Sequence, residues 1–204
     1  VTEITHIAII AVLFVLFVLM ITTTSWAEPL LIMAGLGVAI LINAGSNLIF
    51  GEISFVTNAA GNILQLAVSL DYSVFLLHRF HECRQNHENT KAGAKAAMVD
   101  ALTMSTSSIL SSGLTTVIGF LALCLMQFQI GPDLGRALAK GIAISLITVF
   151  VFMPVLILTF YPMIDKTKHR SFLPSFTGVG KLVQKLMLPF VCLFVIAVVP
   201  SYLA

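Results

Sequence analysis

Residues 57–80 read TNAAGNILQLAVSLDYSVFLLHRF, a stretch in which apolar side chains dominate and a single acidic residue, Asp71, lies inside the run. At a helical rise of about 1.5 Å per residue, roughly 20 apolar residues cross the hydrocarbon core of a bilayer. The stretch therefore predicts a transmembrane helix. The whole chain has the same character, because 58% of its 204 residues are hydrophobic and 10% are charged, which is far from the usage of soluble domains.

Five further blocks of similar length and composition flank this stretch. The first block is not explained by a secretory signal, because it lacks a basic start and its apolar run is too long. The sequence therefore predicts an all-α fold, a polytopic membrane bundle of about six transmembrane helices. The predicted spans are residues 6–23, 29–50, 57–80, 104–127, 137–161 and 182–203.

The distribution of basic residues predicts the orientation of this bundle. Connections on the cytoplasmic side of a membrane carry an excess of Lys and Arg, and all but two of the basic residues, Arg136 and Lys140, fall on one side of the predicted spans. We therefore expect a multi-pass protein of the cell membrane with both termini, Val1 and Ala204, outside. The residues expected inside are Arg79, Arg84, Lys91, Lys95, Lys166, Lys168, Arg170, Lys181 and Lys185.

Two connections on the predicted cytoplasmic side are long enough to have structure of their own. Residues 81–102 become alanine-rich after Lys91, which favours an amphipathic helix near 91–102 that lies on the inner membrane surface with its lysines at the lipid head groups. Residues 164–181 contain Pro174 and Gly178 and predict a cytoplasmic linker.

Of the nine acidic residues in the sequence, only Asp71 lies well within a predicted span. Placing a carboxylate near the bilayer centre costs about 2.5–3.5 kcal/mol even on lenient insertion scales, so we expect it to face a bundle interior and to have a partner. Two interpretations stay open. We favour a proton-relay residue, because intramembrane acids are functional by default; the alternative is a permanently paired or protonated residue that only fixes helix packing.

A second face of the same span carries polar side chains at helical spacing. Such side chains can form interhelical hydrogen bonds that hold a bundle together, and we favour this interpretation for Asn58 and Asn62. Because the span is polar on two faces, we expect it at the centre of its bundle. The polar stripe consists of Asn58, Asn62, Gln65, Ser69 and Tyr72.

The fourth predicted span is rich in hydroxyl side chains, among them Ser108, Ser112 and Thr115. Hydroxyls inside a helix can bond the carbonyls of their own backbone. The alternative is a hydrated path that brings protons from the cytoplasmic side to Asp71. The sequence leaves both interpretations open.

Several classes of function are disfavoured. The chain has no glycine-rich phosphate loop, no Gly-x-Ser-x-Gly elbow and no His-Glu-x-x-His motif, so the sequence predicts no ATPase, no hydrolase and no other enzyme. His78, His81, Cys83 and His87 match no standard pattern of metal ligands, and we expect neither a metal nor a cofactor. A net charge of +2 implies no general attraction to nucleic acid.

The segment SLDYSVFLLHRFHE, residues 69–82, resembles the fourth-span signature of the resistance-nodulation-division exporters, and among them the MMPL type. In that signature an Asp-Tyr pair precedes a short apolar run and an Arg-Phe at the inner membrane edge. Three more segments are similar to the family and follow its order: LTTVIGF at 114–120, DLGR at 133–136 with Gly141 and Ile142 after it, and MPVL at 153–156.

The resemblance implies a twelve-span protein of two similar halves, each with a porter domain outside the membrane. This chain matches spans two to seven. Residues 1–163 are then the five spans of the first-half bundle, residues 164–181 the linker, and residues 182–204 the first span of the second half. We expect the missing first span and a porter domain before Val1, and a second porter domain and the other transmembrane half after Ala204; an oligomer is left open.

The resemblance also implies proton-driven secondary active export, an efflux by proton antiport, of hydrophobic or amphiphilic molecules such as lipids or drugs. The proton-relay role falls on Asp71, with Tyr72 as its hydrogen-bonding neighbour. Ser69, Ser108, Ser112 and Thr115 are candidate supporting residues. The alternative is a sterol-sensing-like or scaffolding membrane module without transport activity, which a collapse of the proton gradient would leave unaffected.

Overall fold

A computed structural model of the chain describes residues 2–50, 54–128, 130–169 and 177–203. Most of these residues are helical, and the described ranges contain no β-strand beyond one isolated bridge between Ser25 and Lys168. This confirms the all-α prediction. The elements are α1 (Thr2–Thr22), α2 (Ala27–Phe50), α3 (Phe55–Arg84), α4 (Lys91–Ala122) with a 3₁₀ turn (Leu123–Leu125), α5 (Ile130–Ile147), a π-helical turn (Thr148–Phe152), α6 (Met153–Lys166) and α7 (Thr177–Leu203).

The chain divides into two compact units, Val1–Arg170 and Ser171–Ala204. The first contains α1 to α6, and the second contains α7, an apolar helix of 27 residues. The boundaries predicted at residues 163 and 181 stay predictions, and much of the predicted linker lies outside the described residues. All contacts below belong to the first unit.

The described helices have the dimensions of membrane spans. Large apolar side chains such as Leu41, Ile118 and Val151 lie exposed on their outer faces, as is expected where a protein surface meets lipid. Two shorter apolar helices, Ile9–Thr22 and Leu182–Phe194, fall within the first and last predicted spans. The stretches long and apolar enough to cross a membrane are Ala27–Asn47, Phe55–Arg84, Lys91–Leu125 and Ile130–Lys166.

Side-chain caps fix where α3 and α4 begin. The Ser54 hydroxyl accepts a hydrogen bond from the Thr57 amide at 3.1 Å, and the Thr90 hydroxyl accepts one from the Gly93 amide at 3.1 Å, which satisfies amides that have no partner in the first turn of a helix. α4 then runs without a break from Lys91 to Ala122. The expected surface helix near residues 91–102 is therefore not a separate element but the first three turns of α4.

The fifth predicted span contains an irregular turn next to Pro154. Proline has no amide hydrogen and its ring collides with the carbonyl of the preceding turn. The chain responds with the π-helical turn Thr148–Phe152, in which the Met153 amide donates to the Thr148 carbonyl. A π-turn lengthens the hydrogen-bonded ring by one residue, so α5 and α6 stay connected as the continuous stretch Ile130–Lys166.

Glycines allow close contacts between neighbouring helices. A Cβ placed on Gly35 of α2 would lie 2.6 Å from Met153 Sδ, and one on Gly113 of α4 would lie 2.6 Å from Leu146 Cδ2. Gly37 and Gly45 of α2, by contrast, have open space beside them. The fully buried side chains Leu76, Leu77 and Phe80 of α3 pack among α2, α4 and α6 around these contacts.

Polar contacts close the two ends of the bundle. At one end, which we call the histidine end, the turn between α1 and α2 pairs with the residues after α6: the His169 amide donates to the Thr24 carbonyl at 2.9 Å. At the other end, the Asp133 end, Asp133 Oδ2 of α5 accepts hydrogen bonds from Thr57 Oγ1 at 2.6 Å and from the Ser54 amide at 3.3 Å. The α3–α4 connection also lies at the histidine end.

Candidate functional site: a mid-span carboxylate and two polar sites beside it

Asp71 lies in the middle of α3, roughly 20 Å or more along the helix axis from either end. Its side chain is exposed, as are those of Ala67 and His78 on the same face. In the described part of the chain no hydrogen bond or ion pair involves its carboxylate. The carboxylate in the middle of a helix long and apolar enough to cross a membrane thus faces outward from the bundle.

This position corrects the expectation that Asp71 faces the interior of this bundle. α3 does pack against α2, α4 and α5 with its other faces, as a central helix would. The residues around Asp71 are left uncovered because no helix of Val1–Arg170 lies over that face.

Tyr72 lies on a packed face of the helix, about 100° around the axis from its exposed neighbour Asp71. Its side chain is 9% exposed and belongs to the apolar core with Leu76 and Leu77. Among the described residues no hydrogen bond joins Tyr72 to Asp71. The hydrogen-bonded Asp-Tyr pair implied by the resemblance is thus absent from this arrangement, and Tyr72 anchors the packed face of α3.

Ser69, another member of the polar stripe, precedes Asp71 by two residues. Its side chain is 1% exposed, its Oγ has no hydrogen-bond partner, and its carbonyl accepts a bond from Ser73 Oγ at 2.7 Å. A buried hydroxyl without a partner is costly. Ser69 Oγ is thus a buried polar atom on the packed face of α3, away from the exposed carboxylate of Asp71.

Most hydroxyls of α4 bond their own backbone. Thr115 Oγ1 donates to the Ser111 carbonyl at 2.7 Å, and Thr116 Oγ1 donates to the Ser112 carbonyl at 2.8 Å. Ser108 and Ser112 are exposed and make no side-chain hydrogen bond within the described ranges. Of the α4 candidates, these two are left with free hydroxyls.

The depth of these serines follows from the packing of α3 on α4. The two helices run antiparallel, since a short loop joins them, and Cys83 Sγ lies 3.9 Å from Met104 Sδ. Asp71 lies as many residues before Cys83 as Thr116 lies after Met104. Asp71 and Thr116 therefore lie at roughly the same depth. Ser112 and Ser108 lie between that depth and the histidine end.

A buried polar junction, formed by Asn43 and Asn47 of α2, Gln65 of α3 and Lys140 of α5, was missed by the sequence analysis. Asn43 Nδ2 donates to Gln65 Oε1 at 2.8 Å, and Gln65 Nε2 donates to the Ala39 carbonyl at 3.1 Å. Lys140 Nζ donates to the Asn43 carbonyl at 3.4 Å and contacts Asn47 Oδ1.

Gln65 forms interhelical hydrogen bonds, an interpretation that the sequence left open for the stripe as a whole. The interhelical hydrogen bonds expected for Asn58 and Asn62 are wrong. Both asparagines are exposed, and Asn62 Nδ2 donates to Asn58 Oδ1 of the same helix at 3.4 Å. The spacing of Asn43 and Asn47, one helical turn apart on α2, was the signal that could have revealed the junction.

Several ionisable side chains meet at the histidine end. Glu28 is fully buried, and its Oε1 lies 3.0 Å from His81 Nε2. His87 Nε2 lies 2.7 Å from Asp100 Oδ2. Within the described ranges no three His, Cys, Asp or Glu side chains are grouped closely enough to hold a metal ion.

The sequence was compared with known families and proteins. The model of the MMPL family matches residues 2–175. This chain belongs to the MMPL family. Membership fits a membrane protein made of long apolar helices and agrees with the resemblance carried by residues 69–82.

Relatives of this MMPL chain come from archaea and mycobacteria. It is 31% identical over 101 residues to the membrane protein MJ1562 of Methanocaldococcus jannaschii, an alignment that covers 50% of this chain and 25% of that protein. It is 24% identical over 133 residues to "Probable transport protein MmpL12" of Mycobacterium tuberculosis, covering 63% of this chain and 11% of the relative.

A third relative is "Probable transport protein MmpL10" of Mycobacterium leprae, with 31% identity over 87 residues, or 43% of this chain and 9% of the relative. The MMPL chain thus spans a quarter or less of the length of these relatives. No solved structure matches it.

Proposed function

We propose that this chain is the first-half transmembrane module of a secondary active exporter that moves hydrophobic or amphiphilic molecules, such as lipids or drugs, in exchange for protons. Membership of the MMPL family supports a role in transport, because two of the relatives carry names of transport proteins. The other transmembrane half and the porter domains, which would supply substrate selectivity, belong to the parts of the full protein that flank this module.

The observation that carries the proposal is the exposed position of Asp71 at mid-span on the uncovered face of α3. A carboxylate at that depth is costly in lipid and needs a polar partner. A helix of the second half that packs over Ala67, Asp71 and His78 would provide it. Gain or loss of a proton at Asp71 would then change how tightly the halves fit.

This coupling supplies a physical basis for transport. A neutral carboxyl group can be accommodated between packed helices, whereas the charged form needs water or a cation. Asp71 would take up a proton from one side of the membrane and release it to the other. Each change of charge would switch α3 between two ways of packing against the second half. Ser69, Ser108 and Ser112 would support proton movement, while Tyr72 would hold α3 to its own bundle.

The orientation that we propose places the histidine end in the cytoplasm. Arg79 and Arg84 lie at that end of α3, and Lys166 and Lys168 lie at that end of α6. An excess of basic residues marks the cytoplasmic side of membrane proteins. Both termini of the module would then lie outside, towards the porter domains.

The full-length protein, reconstituted in proteoliposomes, provides the test. Asp71→Asn should abolish proton-dependent export, because asparagine preserves the size of the side chain but cannot exchange a proton. Glu82→Gln is the matched control: Glu82 lies on the same helix near its end and pairs with Arg79 at the surface, so its loss should leave export intact.

Collapse of the proton gradient with a protonophore separates the proposal from the alternative. Export should stop in the wild type. If the protein binds lipid or sterol equally well with and without a gradient and moves no substrate, a sensing or scaffolding module is the correct description. Proton-dependent export that survives in Asp71→Asn would exclude Asp71 as the relay.

A further inference from the structure

A cavity of about 350 Å³ opens at the histidine end of the bundle. Its walls come from the turn between α1 and α2, the end of α3, the α3–α4 connection and the end of α6. This volume lies at the lower end of the range of small-molecule sites. It accommodates a compact polar group, but not the acyl chains of a lipid.

One wall of the cavity is cationic. The side chain of Arg84 is 9% exposed, and its guanidinium is held in place by the Glu88 carbonyl at 2.6 Å and by Asn89 Oδ1 at 2.5 Å. A guanidinium has five N–H donors in a fixed fork, so donors remain after these two bonds. A fixed, largely buried Arg of this kind is suited to bind phosphate oxygens.

Further cationic and N–H donor groups line the same cavity. Lys168 Nζ is half exposed and lies 2.8 Å from Asp165 Oδ1, and the rings of His81, His87 and His169 border the space. The His87 ring is hydrogen-bonded to the Asp100 carboxylate, and His81 Nε2 lies 3.0 Å from Glu28 Oε1. Arg84 and Lys168 share one carboxylate, Asp165, so two positive charges and one negative charge line the cavity itself.

The remaining lining is rich in hydrogen-bonding groups. Gln85, Asn89 and the carboxylate of Asp165 present oxygen acceptors and amide donors to the same space. A bare phosphate would use only the donors and would meet repulsion from Asp165. A phosphate that carries a polyol would use them, because hydroxyls donate to the carboxylate and accept from the amides.

We propose that this cavity binds a phosphorylated polyol, the headgroup chemistry of anionic phospholipids such as phosphatidylglycerol. The cavity lies at the ends of Phe55–Arg84 and Ile130–Lys166, two stretches long and apolar enough to cross a membrane, so a lipid would enter with its headgroup while its chains stay in the bilayer. Basic pockets between membrane helices are known to hold such headgroups. The inference is independent of the transport mechanism.

Native mass spectrometry of the full chain in detergent, titrated with short-chain phosphatidylglycerol or phosphatidylcholine, tests the proposal. One phosphatidylglycerol should bind saturably, and phosphatidylcholine should bind more weakly. Lys168→Gln should weaken the binding of phosphatidylglycerol about tenfold, the usual effect of losing one charge-assisted hydrogen bond, and Lys168→Arg should retain it.

Lys166→Gln is the matched control, because Lys166 is exposed in the same turn but does not line the cavity. Soluble glycerol 3-phosphate should compete with the lipid. If glycerol 3-phosphate binds and phosphatidylglycerol does not, the ligand is a soluble phosphorylated polyol and the lipid source is excluded. Equal binding of both lipids without competition, or equal losses in Lys168→Gln and Lys166→Gln, would overturn the proposal.

Discussion

Oε1 of Glu28 lies 3.0 Å from Nε2 of His81, although the two residues belong to different helices and the Glu28 side chain is 1% exposed. The carboxylate also accepts hydrogen bonds from the amide and the hydroxyl of Thr24, each at 3.2 Å. It therefore ties the turn between α1 and α2 to the cytoplasmic end proposed for α3. Such a buried carboxylate stabilises the fold only when all of these polar partners are present.

Replacement of Glu28 by alanine should destabilise the bundle strongly. The truncation removes the buried acceptor of two hydrogen bonds from Thr24, and a hydrogen bond to a charged group contributes about 1.5–3 kcal/mol. Glu82→Ala is the control, since the Arg79–Glu82 pair is exposed and such pairs contribute roughly 0–1 kcal/mol. Chemical unfolding of both variants in detergent measures the difference, and similar losses would show that the Glu28 contacts do not stabilise the bundle.

Two glycines test the close approach of α4 and α5. A Cβ on Gly135 would lie 2.5 Å from the backbone carbonyl oxygen of Phe120, whereas Gly119 of α4 has open space beside it. Gly135→Ala should cost about 1–3 kcal/mol, because backbone atoms must move apart. Gly119→Ala should be neutral or stabilising by up to about 1 kcal/mol, since alanine is the better helix former. Thermal unfolding of the two variants should therefore shift in opposite directions.

The positions of the spans could be read from the sequence because hydropathy is a local property. The predicted stretch 57–80 lies inside α3, and residues 29–50 lie inside α2. The start of the fifth span was placed too late. The predicted span begins at residue 137, yet α5 begins at Ile130. Pro132 fits the first turn of a helix, where its missing amide hydrogen costs nothing.

That early start places Lys140 about ten residues into the helix, at the depth of the polar junction rather than at the membrane edge.

The contacts of the site were less predictable than the spans. Periodicity shows which residues of α3 share a face, and Asp71 indeed shares one with Ala67 and His78. It does not show which face neighbouring helices cover, because that depends on pairwise packing between distant segments.

The hydrogen bond between Asn43 and Gln65 should couple α2 to α3. Both side chains are buried, with exposed fractions of 5% and 1%. A double-mutant cycle with Asn43→Leu and Gln65→Leu should give a coupling energy of about 0.6–1.7 kcal/mol, the range found for hydrogen bonds between membrane helices. The same cycle with Asn62→Leu in place of Gln65→Leu should give a value near zero, because Asn62 is exposed. Equal coupling in both cycles would contradict the contact.

Ser108 and Ser112 provide the sharpest test of the proposed proton path, because they lie on α4 between the depth of Asp71 and the histidine end and their hydroxyls make no bond within the described part of the chain. A free hydroxyl can both donate to and accept from water, as a chain of proton transfers requires. Ser108→Ala together with Ser112→Ala should therefore slow proton uptake by the full-length protein severalfold in proteoliposomes loaded with a pH-sensitive dye. Thr116→Val is the matched control at the same depth, since that hydroxyl is already bonded to the Ser112 carbonyl. Unchanged uptake in the double variant would exclude a path along α4.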